Sequence, residues 1–415
     1  MKHKRQTRRY LIVFFTGVIM ATVIAAVVNT RVDPWRVSGS PWADPALEPY
    51  RDISAMTRTG KAGLVLARQD WQGAIFGSSR VISTLDPQAP GWGGKEIVNL
   101  GMPGAFLYEN VAMAEYFIRR QQQAELIVFG VDPGDLTSSV DTRGMSDFIS
   151  SPLSPDGVLD RRLRYVVGLS VFESSVETLG LRSKGTPGEY NAHGLRDRPA
   201  RGGGGASGAA GGPNQLKFIK NRFIDDARIA PKDESAVKVN ADKAAKLESL
   251  MHECRERGVR MVIFLHPNHV LLKAASADLG KQVTPFEKDR RQLAEMIGRV
   301  NAMELGGPLV EWWDFYSFHR YNSERVRPVE GEPNALVHWR DLEHYTKDVG
   351  EGMLSAMMGW PVTNPDLLDY GVKLLPDEVE ARISTLREAY QAYLNGEGQG
   401  DVAWKEALVD DVLER

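Results

Sequence analysis

Three short stretches of the chain carry residue types suited to acyl-transfer chemistry. The first is Gly77-Ser78-Ser79-Arg80, which follows the apolar run Ala74-Ile75-Phe76. A glycine permits the sharp bend that lifts Ser79 to the carboxyl end of a buried strand. A serine there is a nucleophile if a base stands beside it. The second is Asp341-Leu342-Glu343-His344. With two residues between them, one tight turn brings carboxylate and imidazole toward the same serine; Asp341 fixes the imidazole tautomer and His344 takes the proton. The third is the loop Gly101-Met102-Pro103-Gly104. Backbone N–H groups of Ser79 and Gly104 are the expected donors to a developing oxyanion. Each piece has a plainer alternative. Gly-Ser-Ser is a common turn that caps a following helix, and Asp341 with His344 also fits the start of a helix on a surface turn. Their conjunction favours the triad.

Two further groups bear on this site. Asp132 ends an apolar run in Val131-Asp132-Pro133. It fits a turn start, but a bare carboxylate beside a forming oxyanion would raise the barrier. Arg80, expected at the start of the helix after the serine, is the residue able to reach and neutralise it. His266-Pro267-Asn268-His269 suggests a metal pair. No third ligand has defined spacing, however, and Pro267 opposes a helical pair. The expectation is therefore no metal and no cofactor, with His266 lining the pocket and His338 and Trp339 in its wall. The run Trp312-Trp313-Asp314-Phe315-Tyr316 offers either a sugar-stacking face or, more commonly, core packing.

These residues need an open parallel sheet to bring them to one edge. Short apolar runs predict strands at 74–76, 96–100, 124–130, 260–265 and 309–315. Helical spacing is found over 107–121, 240–257, 285–303 and from 348 to 358. Strand, helix and strand with short connections make βαβ units, so the fold class is α/β with a parallel sheet. Residues 66–360 are expected to form this domain, with an insertion over 135–235 holding one or two helices between 161 and 179. A Gly-rich loop over 184–213, centred on Arg201 to Gly212, has no side chains with which to build a core. Residues 361–415 read as an acidic helical arm that packs on the domain or on a partner.

The chain has 415 residues and a formal net charge of −3. Near-neutral charge without a broad basic tract argues against nucleic acid as the main partner. Cys254 is the single cysteine, so no disulfide forms within the chain. Residues 1–9 are basic, and an uncharged, mostly apolar run follows from Tyr10 to Asn29. At ~1.5 Å per residue this run crosses a hydrocarbon core of ~30 Å. The basic flank predicts a cytoplasmic N-terminus and an extracytoplasmic remainder, with 30–65 as a juxtamembrane linker containing a short helix near Ser54 to Leu64. A cleaved signal peptide is the rival; the length of the run favours an uncleaved anchor.

The order and spacing of these motifs resemble the SGNH/GDSL hydrolase superfamily. Its first block, Gly-Asp-Ser, corresponds to Gly77-Ser78-Ser79, which carries the nucleophile to Ser79. Its second, a strand ending in Asn before a glycine loop, corresponds to Val98-Asn99-Leu100-Gly101-Met102-Pro103-Gly104, with Gly104 as the oxyanion glycine. Its last, D-x-x-H, corresponds to Asp341 and His344. The third, Gly-x-Asn, reads Gly130-Val131-Asp132, with an aspartate where the family has an oxyanion-donating asparagine. The resemblance spans roughly residues 70–360. It implies a three-layer α/β fold and serine-ester chemistry. The Gly-Ser-Ser-Arg form, the anchor and the middle insertion are most similar to SGNH-like proteins of cell-envelope polymer acylation, such as those of alginate O-acetylation and D-alanyl transfer. That resemblance implies a site in the bacterial periplasm at the inner membrane. It also implies a polysaccharide or other acylated envelope polymer as substrate and a membrane-bound O-acyltransferase as partner. A catalytically inactive scaffold that binds glycan or such a partner is the alternative.

Overall fold

A computed structural model describes residues 2–198, 215–229, 237–273, 284–330 and 336–413. In chain order these form α1 (Lys2–Val32), α2 (Thr57–Ala67), β1 (Gly73–Phe76), β2 (Ile97–Asn99), α3 (Leu107–Arg120), β3 (Leu126–Val131), α4 (Ser146–Ser150), α5 (Val158–Val167), α6 (Leu169–Lys184) and α7 (Gln215–Ile229). There follow α8 (Ala241–Glu256), β4 (Arg260–Leu265), α9 (Val270–Lys273), α10 (Pro285–Ala302), β5 (Glu311–Asp314), α11 (Lys347–Met358), β6 (Val372–Leu374), α12 (Val379–Asn395) and α13 (Gln399–Leu413). The chain is mixed α/β. Its two compact units are residues 1–69 with 143–198, and residues 70–142 with 199–415.

The second unit is built on one sheet with strand order β2-β1-β3-β4-β5-β6. The first five strands run parallel, and β6 lies antiparallel to β5. β1 and β3 are buried along their whole length, and β4 is buried except at Arg260. Their continuous apolar sequences follow from burial on both faces. Neighbouring side chains point to opposite faces of a strand. Phe76 meets Phe117 of α3 on one face at 5.9 Å, while Ile75, Val128 and Val262 pack with Met353 and Leu354 of α11 on the other. Helices therefore cover both faces.

Residues 361–415 group with this unit and hold a short strand besides their helices. β6 extends the sheet, and α12 is tied to it by Arg382, whose Nε lies 3.0 Å from the fully buried Asp314 of β5. Arg290 of α10 contacts both oxygens of the same carboxylate, at 3.0 and 3.1 Å. Trp312, Phe315 and Tyr316 are buried and Trp313 is half-buried against the cluster that holds Phe315, so this aromatic run packs in the core.

The first unit draws on the segments read as linker and insertion. Residues 30–65 and 143–198 group into one body, while 135–142 stay with the sheet unit. α2 lies where a short helix was expected, but its N-cap, Met56, contributes no side-chain cap. Asp147 of α4 takes that role: its carboxylate accepts from the backbone N–H groups of Arg58 at 2.8 Å and Thr59 at 3.2 Å. A Cβ at Gly63 would stand 1.8 Å from the carbonyl oxygen of Trp35, so the close approach of 35–36 to α2 requires glycine. Lys61, fully buried, donates to Gly194 O at 2.5 Å, which ties 184–198 into the same unit. The Gly-rich stretch 201–212 lies outside the described residues. α1 is longer than the apolar run 10–29, and its Gln6–Val32 portion is long and apolar enough to cross a membrane.

Candidate active site

The carboxyl edge of the parallel sheet gathers the residues picked out by the motifs. β1 ends at Phe76, and Gly77 follows at φ 154, a conformation open chiefly to glycine. A series of tight turns over 78–85 comes next, where a regular helix was expected. These turns are fixed from below. The buried Asn99 side chain, at the end of β2, donates to Val81 O at 2.8 Å and Leu85 O at 3.0 Å, and accepts from Gly101 N–H at 3.0 Å. Met102 N–H donates to Gly77 O at 2.9 Å. Asn99 is thus a positioning residue for the serine turn.

The loop 339–345 delivers the imidazole. Trp339 and Tyr345, both fully buried, pair as an antiparallel bridge at its two ends. Within it Asp341 Oδ1 accepts from the backbone N–H groups of Glu343 at 2.7 Å and His344 at 2.8 Å. Asp341 Oδ2 lies 2.7 Å from His344 Nδ1, and His344 Nε2 lies 2.7 Å from Ser79 Oγ. An ionised carboxylate only accepts, so Nδ1 carries the proton and Nε2 accepts from the Ser79 hydroxyl. Burial pushes the Asp341 carboxyl up, but its bonds to His344 and the two backbone donors outweigh this and hold it below its ordinary value. Ser79 and His344 stay partly accessible.

Arg80, next in the serine turn, is buried. Its Nη1 donates to Asn268 Oδ1 at 2.6 Å, its Nε lies 3.4 Å from Asp132 Oδ1, and its Nη2 lies 3.6 Å from Glu343 Oε1. The expected pairing with Asp132 is therefore present, but Arg80 is shared among three strand ends and loops. Glu343 takes a second partner, Arg222 of α7, at 2.6 Å. Burial pushes the Asp132 carboxyl up, while Arg80, His266 and a hydrogen bond from Ser78 bring it below its ordinary value. Asp132 thus stands ionised and acceptor-only, so it cannot be the oxyanion donor that an asparagine would be.

His266 sits at the end of β4, fully buried behind Asp132. Its Nδ1 is 3.1 Å from Tyr345 Oη and its Nε2 is 3.7 Å from Asp132 Oδ1. Burial lowers its pKa to about 3, so it is a neutral wall residue. A Cβ at Gly130 would stand 2.3 Å from His266 Nε2, which explains a glycine in the middle of a buried strand. His269 points elsewhere, with Nε2 on Glu324 O at 2.7 Å. His338 stacks on Tyr321 and contacts Asp348 at 2.7 Å, and Trp339 is fully buried. Gly104 lies exposed at φ 63 in the loop after β2. Cys254 is buried and its thiol is pushed up to about 12 by burial, an inert core residue.

Sequence reasoning missed Asn268, Glu343, Arg222 and Tyr345. Asn268 and Glu343 were visible only as neighbours of singled-out histidines. Arg222 lies more than a hundred residues from its partner, and nothing in its local sequence marks it.

The chain matches no protein-family model, and no curated protein is similar enough to count as a relative.

Proposed function

We propose that this chain is a membrane-anchored, extracytoplasmic serine esterase or O-acyl transferase of SGNH type. The observation that carries this reading is the continuous hydrogen-bonded chain Ser79–His344–Asp341, with 2.7 Å at both steps, at the carboxyl edge of a parallel sheet. In the proposed reaction Ser79 Oγ attacks an ester carbonyl as its proton passes to His344 Nε2. The tetrahedral oxyanion is held by backbone N–H groups of Ser79 and Gly104. Collapse releases the alcohol, which takes the proton from His344 and leaves the acyl group on Ser79. Water then regenerates the enzyme by hydrolysis, or a sugar hydroxyl takes the acyl group by transfer. Asp341 holds the imidazole in the required tautomer throughout. The resemblance of the motifs supports an acetylated envelope or exported polysaccharide as substrate, with a membrane-bound O-acyltransferase as partner. The apolar α1 supports the anchor.

A non-catalytic glycan- or partner-binding scaffold is the second reading. It is favoured by the Asp132 carboxylate, which stands where the superfamily has a donor. A fluorophosphonate probe separates the two: the esterase labels at Ser79, and labelling disappears in Ser79→Ala. Absence of labelling in the wild-type protein, with aryl-acetate turnover unchanged in Ser79→Ala, refutes the enzymatic reading.

A further inference from the structure

An amphipathic helix of a water-surrounded unit turns its apolar side inward. α5 does the reverse with part of its apolar set. Tyr165 faces inward, packing with Trp35 and Val171 and donating from its hydroxyl to Ser150 O at 2.5 Å. Leu159, Leu163 and Val167, spaced four residues apart, form an outward stripe, with Leu159 75% and Leu163 57% exposed. Leu169, 70% exposed, continues the stripe into α6, where Val176 and Leu179 are also exposed. Arg162 and Arg164, both exposed, flank it, Arg164 in an ion pair with the exposed Asp160.

The position of this stripe along α1 is set by one buried polar residue. Asn29 Nδ2 donates to Val166 O at 3.0 Å and Gly168 O at 3.3 Å, and its Oδ1 accepts from Ser175 Oγ at 3.2 Å. These bonds hold the elbow between α5 and α6 against the outer end of the apolar run. From Tyr10 to Asn29 the helix rises ~29 Å, close to the ~30 Å of a hydrocarbon core. With α1 as the anchor, the elbow stands at the level of the boundary between acyl chains and headgroups, beside a helix whose Val23, Ile24 and Val27 are also exposed.

We infer that the α5–α6 elbow is a second membrane contact: its outward stripe sits among the acyl chains of the outer boundary, with Arg162 at anionic headgroups. The inference rests on the proposed anchoring by α1. Lipid is the occupant because Asn29 ties the stripe to the outer end of the anchor, and the stripe carries the apolar face and flanking cation of an interfacial helix. The contact would hold this unit against the bilayer rather than leave it on a free tether.

The test is nitroxide labelling of full-length protein in vesicles of phosphatidylethanolamine and phosphatidylglycerol. Single cysteines are placed at Leu163→Cys, Leu169→Cys and, within the anchor, Val18→Cys. Native Cys254 is buried and does not compete for label. All three labels are expected to be relaxed more by oxygen than by an aqueous nickel chelate. If Val18 reports lipid while positions 163 and 169 report water, the elbow contact is overturned and the anchor stands; the stripe is then a surface for a protein. If Val18 itself reports water, the anchoring and the inference built on it both fall.

Discussion

Replacing Arg80 by methionine removes the cation at the centre of the site while keeping the bulk of the side chain. At the 3.4 Å separation from Asp132, a unit charge pair in an effective dielectric of about 20 is worth ~5 kcal/mol before desolvation is counted. Much of that is offset by the cost of burying the guanidinium, but deleting one partner leaves the other carboxylate uncompensated, at roughly 3–5 kcal/mol. Asp132 keeps 26% of its side-chain exposure, which puts the expected loss at the low end, about 3 kcal/mol. Glu343 adds little, because Arg222 still pairs with it. The sign with pH follows from the direction of the shift. In the native protein Asp132 is held low, so its contribution is present above the unfolded carboxylate pKa of ~3.9 and lost as pH falls through the lowered folded value. In Arg80→Met, burial acts without Arg80, so the folded pKa rises above the unfolded one. The deficit then grows as pH climbs through that raised value and shrinks toward pH ~4. Urea unfolding of the wild type, Arg80→Met, Asp132→Asn and the double variant, at mildly acidic and mildly alkaline pH, gives the coupling directly. A coupling of about 2 kcal/mol or more is expected at the higher pH, because asparagine relieves the stranded charge. A coupling below about 0.5 kcal/mol, unchanged with pH, refutes the pairing.

Ser79→Ala and His344→Ala should each abolish ester turnover while the unfolding midpoint stays near that of the wild type. Asp341→Asn should slow fluorophosphonate labelling and turnover together, turnover by up to ~10⁴-fold, through the wrong imidazole tautomer. Asp132→Asn should harm turnover less than Arg80→Ala; the reverse order in steady-state kinetics would mean that the carboxylate itself takes part in the chemistry. Asp314→Ala should destabilise the second unit by roughly 3–5 kcal/mol, because it strands Arg290 and Arg382 in the core; calorimetry showing a near-neutral effect would detach α12 from the fold. A reporter fused after residue 60 should be active only outside the cytoplasm, and activity inside would reverse the proposed topology.

Local sequence determined the elements whose causes are local. The parallel strands were legible because burial on both faces demands uninterrupted apolar residues, and α1 because its apolar run is long enough to cross a bilayer. Ser79, Asp341 and His344 were legible because turn geometry constrains spacing: glycine before the serine, two residues inside the histidine loop. β6 was not, since three residues at a sheet edge with two exposed side chains carry no apolar run. The pairing of 1–69 with 143–198 was not either, because the cap that Asp147 supplies to α2 joins residues nearly ninety positions apart. Only the tertiary structure decided how Arg80 is shared among Asp132, Asn268 and Glu343. Long-range electrostatic partners leave no periodicity in the chain: a buried charge is satisfied by whatever the fold brings within reach.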